Sequence, residues 1–361
     1  MSGSDVTKAG LRDARPGREA APSGTLERPR RRGRGEQPMV PDASFSSYYG
    51  KLVLNQPTWE ARDIAGYLFL GGLAGAGSVI AAGAHLTRRP GLARALKCGA
   101  AAAGGLSLAA LVHDLGRPLR FLNMLRTIKP TSPMSIGSWL LAGYVPAAAA
   151  AAASDLTGRM PRAGAAATAA AAAAGPAVAT YTAALIADTA VPAWHDGHRH
   201  LPFLFAASAV TAAAGLGLAA APRAENEPVR RLGVAAGSAE LIIESLMKHQ
   251  MGMVAGAYEE GRAKQLGQAA RALAVSGVLT AGLAGHRSRP AAAAAGAALL
   301  AASALTRFAI FDAGLNSAAD PRYTVIPQRL RQRQRLANAD GGAAGASHPG
   351  RAASSCSPAP Y

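Results

Sequence analysis

Cysteine and charge are both scarce in this chain. Cys98 and Cys356 are the only thiols in 361 residues. A disulfide framework needs paired cysteines at workable geometry, and an iron–sulfur cluster needs four thiolates. The chain therefore carries no cluster of its own. Charged residues make up 16% of the sequence, against about 25% in ordinary soluble domains. Residues 1–56 contain the run Arg30-Arg31-Arg32-Gly33-Arg34, but no apolar stretch follows that could serve as a secretory signal. Their Arg, Gly, Pro and Ser content predicts a disordered, solvated tail over 1–57. Histidines able to share a haem are also lacking. His85 falls at one end of the first apolar stretch and His113 at the opposite end of the second, so the two cannot supply axial ligands at one depth. No haem is expected.

Hydrophobic residues, at 50%, are abundant. They concentrate in tracts of about 20 residues, the length that carries a helix across a hydrocarbon core. Eight such tracts are predicted, at 61–86, 94–114, 135–153, 163–188, 201–221, 229–248, 266–285 and 290–312. The fold expected is all-α and integral to the membrane, with a spanning domain over 58–316. A basic, mostly disordered tail is expected over 317–361. The net charge of +17 sits in tails and short loops, as it does in proteins flanked by lipid headgroups, so no nucleic-acid partner is inferred.

An even number of spans puts both ends of the chain on one side, here called side A. The connections 115–134, 189–200 and 249–265 also fall on side A, and only short turns fall on side B. The two Arg-rich tails favour a cytoplasmic side A. Within 115–134, Phe121, Leu122 and Leu125 alternate with polar residues and predict a short interfacial helix before Pro130. Trp59, Trp139 and Trp194 map near the side A boundary, where an aromatic belt is expected. Gly71 with Gly75, and Gly72 with Ala76, give the first tract a small-residue face that admits close helix packing.

Ionisable groups inside an apolar span cost about 2.5–3.5 kcal/mol each on insertion scales, so the few present call for a role. Glu240, Glu244 and Lys248 recur every four residues and stack on one helical face. They form an internal ion-pair ladder or a proton path to side A. His113, Asp114 and Arg117 end the second tract as an interfacial cluster or as a proton-exchanging group. Tyr181 and Asp188 share a face of the fourth tract. Tyr181 lies about two turns inside the boundary, where its hydroxyl needs a partner.

Four stretches resemble the polysulfide reductase NrfD family of quinone-interacting membrane subunits. They are Gly66 to Ser78 (GYLFLGGLAGAGS), Asp114 to Pro118 (DLGRP) with Arg120 to Trp139 (RFLNMLRTIKPTSPMSIGSW), Tyr181 to Trp194 (YTAALIADTAVPAW), and Arg307 to Gly314 (RFAIFDAG) with Asp320 to Arg329 (DPRYTVIPQR). The resemblance spans about 59–329. It implies two four-helix bundles and an exchangeable quinone, menaquinone being the expected species. It also implies a ferredoxin-like iron–sulfur partner attached to a molybdopterin catalytic subunit. By position, Tyr181 matches the family's quinone-contacting tyrosine and Asp114 its acidic residue after the second span. The histidine that some members carry in the first helix has no counterpart near Tyr67.

The expected quinone site is therefore Tyr67, His113, Asp114, Arg117, Tyr181 and Asp188, with Asp114, Glu240, Glu244 and Lys248 as proton relay. The competing expectation is a proton-conducting or transporter-type protein built on Glu240, Glu244 and Lys248. A transporter more often shows broken helices in corresponding halves, and only Pro146 and Pro176 hint at that.

Overall fold

Proline and serine set the helix starts. Pro90, Pro133, Pro161, Pro202, Pro228 and Pro290 each occupy the first or second helical position, where a missing N–H costs nothing. Ser132 and Ser288 cap their helices by accepting the backbone N–H of Ser135 and Ala291. Gly158, in the left-handed region, ends the helix before it.

The computed structural model describes residues 6–7, 10–11, 53–55, 57, 59–117 and 119–346. Nearly all of the 1–57 tail expected from the sequence lies outside the described residues. In chain order the helices are α1 (Ala61–Leu86), α2 (Pro90–Asp114), α3 (Leu119–Met124), α4 (Pro133–Thr157), α5 (Pro161–Ala187), α6 (Pro192–His195), α7 (Leu201–Ala220), α8 (Glu227–Met251), α9 (Gly261–Leu283), α10 (Arg289–Ala319) and α11 (Arg322–Ala346). A 3₁₀ segment, Gly252–Tyr258, joins α8 to α9.

Seven of these helices are long and apolar enough to cross a membrane: α1, α2, α4, α5, α7, α9 and α10. The chain is an all-α, multi-pass membrane protein. The eighth expected span, α8, is long enough at 25 residues but carries Glu227, Arg230, Arg231, Glu240, Glu244 and Lys248. It nevertheless runs antiparallel to α7 along its whole length. Val229 packs at Gly217, Gly233 at Ala214 and Leu218, Gly237 at Thr211, and Met247 at Gly197 beside Leu201. Burial of Glu240 and Glu244 against neighbouring helices makes so polar a helix tolerable there.

Two four-helix bundles result. The first joins α1, α2, α4 and α5, and the second joins α7, α8, α9 and α10. They meet where α1 contacts α7 and α10 and where α5 contacts α7. In each bundle the first and last helices cross at a pair of glycines. A Cβ on Gly75 or Gly175 would collide with the other's backbone carbonyl, and the same holds for Gly215 and Gly296. The small-residue face expected on α1 is thus distributed: Gly75 meets α5, Gly71 meets Ser107 of α2, and Gly72 meets Ala209 of α7 and Arg307 of α10.

The structure corrects two expectations. Trp194 is no belt residue. It is fully buried, its Nε1 donates to the Ile310 carbonyl at 2.8 Å, and it stacks on Trp59 at 5.9 Å. Gly314 leaves the space its ring fills. Only Trp139, on the surface of α4, has the expected exposure. The stretch from 317 is not simply a tail either. Helix α10 continues to Ala319 and α11 occupies 322–346, a segment rich in the helix formers Arg, Gln, Leu and Ala. Tyr323 anchors α11 by donating to Glu260 Oε1 at 2.8 Å, and burial together with that carboxylate pushes the phenol far above its usual value. The short helix expected before Pro130 is present as α3.

Candidate functional site

Tyr67 lies on the buried face of α1, in the core between the bundles. Ser107 of α2 fixes that turn by donating to the Tyr67 carbonyl at 3.2 Å. Tyr181 projects from α5 and is half-buried. The two phenol hydroxyls are hydrogen-bonded to each other, and the rings meet edge to face at 6.3 Å. Gly137 of α4 makes room for the Tyr181 ring, since a Cβ there would collide with it. One turn earlier, Met134 and Ser135 help line a cavity of about 270 Å³ together with Met124, Thr127, Lys129 and Ser132. That is near the lower end of small-molecule pockets.

The tyrosine pair holds two hydroxyl protons. One is used between the rings, so one O–H and the remaining lone pairs stay free for a ligand. Four residues before Tyr67, on the same face of α1, stands Asp63. It accepts from His113 Nδ1 at 2.6 Å and so ties the side A ends of α1 and α2. The Asp114 carboxyl is partly buried and faces the backbone N–H of Glu60. Arg117 and Asp188 are exposed and make no side-chain hydrogen bond or ion pair among the described residues. The structure thus brings Tyr67 and Tyr181 into contact and sets His113 and Asp114 at the same end of the bundle. It leaves Arg117 and Asp188 on the surface, because α2 and α5 end before them and their side chains are free to face water.

The four residues expected as one relay divide between the bundles. Asp114 belongs to the first. Glu244 and Lys248 in the second form an ion pair at 2.7 Å, with Arg271 Nη2 3.7 Å from Glu244 and Glu259 3.9 Å from Lys248. Glu240 is not a rung of that ladder. It is 2% exposed and turned toward Ser208, Thr211, Thr306 and Arg307. Arg307, 1% exposed, donates from Nη2 to the Phe205 carbonyl at 2.8 Å and lies 3.5 Å over the Phe205 ring.

Three polar groups were not singled out from the sequence. Arg307 carried a usable signal, because a single cation deep in an apolar helix marks a buried role. Asp63 offered only its spacing from Tyr67. The Ser78–Tyr144 hydrogen bond of 2.8 Å joins residues too far apart in sequence for any local pattern to reveal.

No curated protein matches the chain. Residues 55–243 match the family described as polysulphide reductase, NrfD. The match covers the whole first bundle, α7 and most of α8, and stops short of the fourth stretch noted above. It takes in more than half of the chain, with the tyrosine pair and the cavity at Met134 and Ser135 inside it, and the chain belongs to the polysulphide reductase NrfD family.

Proposed function

We propose that this chain is the membrane anchor and quinone-reactive subunit of a molybdopterin oxidoreductase complex. It passes electrons between membrane quinone, of the menaquinone type, and a ferredoxin-like iron–sulfur subunit. The observation that carries this reading is the hydroxyl pair of Tyr67, buried in the core, and Tyr181, half-buried, with the Tyr181 ring seated on Gly137 of the same helix whose first turn, at Met134 and Ser135, helps line the cavity.

Quinol oxidation gives up two electrons and two protons. A donor to the quinone oxygen and a titratable neighbour are both needed, and they must lie near the face where electrons leave. Tyr181 supplies the O–H, held in position by Tyr67 and by the fit of its ring against Gly137. His113 with Asp63, and Asp114 beside Glu60, offer groups that accept protons at the side A end. Electrons leave to another protein, since the chain has too few thiolates for a cluster. The iron–sulfur partner docks on side A, where the longer connections and α11 lie. With the Arg-rich segments there, side A is the cytoplasmic face and both termini lie on it.

The test is binding of a quinone analogue to the wild-type chain and to Tyr181→Phe. Weaker binding to the variant supports the site. Equal, weak binding by both removes the assignment.

A further inference from the structure

The second bundle holds a pair of ionisable groups that quinone binding at Tyr181 does not use. Glu240 stands 11 residues before the end of α8, which is about 16 Å at 1.5 Å per residue and so about halfway through a hydrocarbon core. Neither carboxyl oxygen has a hydrogen-bond partner among the described residues, and the same holds for Nε and Nη1 of Arg307. Two of the nearby hydroxyls are already committed as donors, Thr211 to Ala207 and Thr306 to Ala302, and are left to accept a hydrogen bond from Glu240. Ser208 pairs with Ser303, in which either can donate, so Ser208 can accept from the acid or turn its own proton to the carboxylate. Arg307 is the one charge that meets Glu240 among the described residues, and it does so without ion-pair contact. The surroundings therefore offer acceptors that suit the neutral acid and a cation that suits the carboxylate, which is what a group that exchanges a proton requires.

Access differs between the two directions. Toward side A, Thr306 lines a cavity of about 10 Å³ that also touches Glu244, Lys248 and Tyr258, room for about one water molecule. Lys248 and Tyr258 in turn line a further cavity of about 100 Å³, bounded by the exposed Glu259, Lys264 and Arg271. Toward side B the packing is apolar and closed. Gly237 is pressed by Val278 and Leu299, Gly233 by Leu299 and Ala214, and beyond them Gly215 crosses Gly296 backbone to backbone.

We propose that Glu240 is a proton-binding acid at mid-depth of the second bundle, loaded and emptied from side A alone and held by Arg307. Binding one proton converts the carboxylate to the acid and leaves the Arg307 charge uncompensated beside Phe205. Release to side A restores the pair. A proton stored this way balances charge inside the bundle and does not cross it.

The test uses the full chain in liposomes, with Cys98 and Cys356 replaced by serine. A membrane-impermeant thiosulfonate reagent is applied to Thr306→Cys and Ala309→Cys on the side A route, and to Val278→Cys and Leu299→Cys in the closed layer. Labelling about tenfold faster at the first two positions is expected, a margin equal to 1.4 kcal/mol of local access. These variants leave Glu240 and Arg307 intact. In a second arm, infrared difference spectra between acid and neutral pH are expected to contain a protonated-carboxyl band that is lost in Glu240→Gln. Comparable labelling at Leu299→Cys, protection of Thr306→Cys, or a spectrum unchanged in Glu240→Gln overturns the proposal. Neither arm contains quinone, so failure here and failure of the Tyr181 assay are separate results.

Discussion

Tyr67 and Tyr181 share a hydrogen bond across the α1–α5 contact, but only Tyr181 is open to a visitor. The two phenols therefore separate by experiment. Tyr181→Phe removes the hydroxyl a ligand meets and is expected to weaken binding of a quinone analogue by about 1 kcal/mol, roughly fivefold. Tyr67→Phe is expected to change affinity less and to lower thermal stability, because its hydroxyl lies inside the core. Titration calorimetry on both variants, alongside melting curves, distinguishes these outcomes.

The glycine crossings make a harder demand on the chain. Gly75→Val places a branched side chain where the Gly175 carbonyl stands. Overpacking of this kind costs about 1–3 kcal/mol where neighbours can yield, and backbone yields least. A lower melting temperature or loss of the monodisperse form in detergent is expected. Gly66→Ala is the control, since nothing stands close to the space its Cβ would take.

A buried ion pair at the opposite end of the first bundle offers a sign test. Lys97 Nζ lies 3.0 Å from Asp155 Oδ1, and the Lys97 side chain is 4% exposed. Arg94 also holds Asp155, at 3.2 Å, so loss of Lys97 leaves the carboxylate paired, whereas loss of Asp155 strands the buried ammonium, which costs about 3–5 kcal/mol in buried pairs. Asp155→Leu alone should therefore destabilise strongly, and Lys97→Met with Asp155→Leu should recover most of the loss. If the double variant is as unstable as the single one, the pair contributes through something other than its charges.

The junction of α10 and α11 should depend on pH. Burial raises the Asp320 carboxyl, but the hydrogen bonds and charge of Arg322 outweigh it and hold the group below the usual carboxylate range. A carboxylate with a lowered native pKa adds stability above its unfolded pKa of about 3.9, and that stability is lost as pH falls through the native value. Hydrogen exchange in 320–335 should thus accelerate below that range, and Asp320→Asn should show the faster exchange already at neutral pH. An exchange rate indifferent to both changes would remove Asp320 as the clasp.

The spanning helices were legible because hydropathy over about 20 residues is a property of a continuous segment. The same reading placed α8 correctly among the helices of the bundle, even though its composition alone falls short of a membrane span. Contacts between distant segments were not legible. Trp194 looked like a boundary aromatic because depth along the chain does not reveal which side of the boundary carries protein, and here α6 folds inward against α10. Glu240 looked like a rung beneath Glu244 because a four-residue repeat fixes the helix face only. A small rotation along that face aims one carboxyl at Arg307 and the other at Lys248. His113 and Asp114 were read as a unit from adjacency. Being neighbours on a helix, they point apart, one to Asp63 and the other to Glu60.

Arg307 sits where Gly72 of α1 leaves space for its guanidinium. Within each bundle the outer helices are locked by direct main-chain contact, which has no side chain to give way. Between the bundles, on the helix that bears Tyr67, Gly72 takes both Ala209 of α7 and the guanidinium of Arg307 from α10. The helix carrying the buried phenol thus touches both outer helices of the other half, one of them through the cation that faces Glu240.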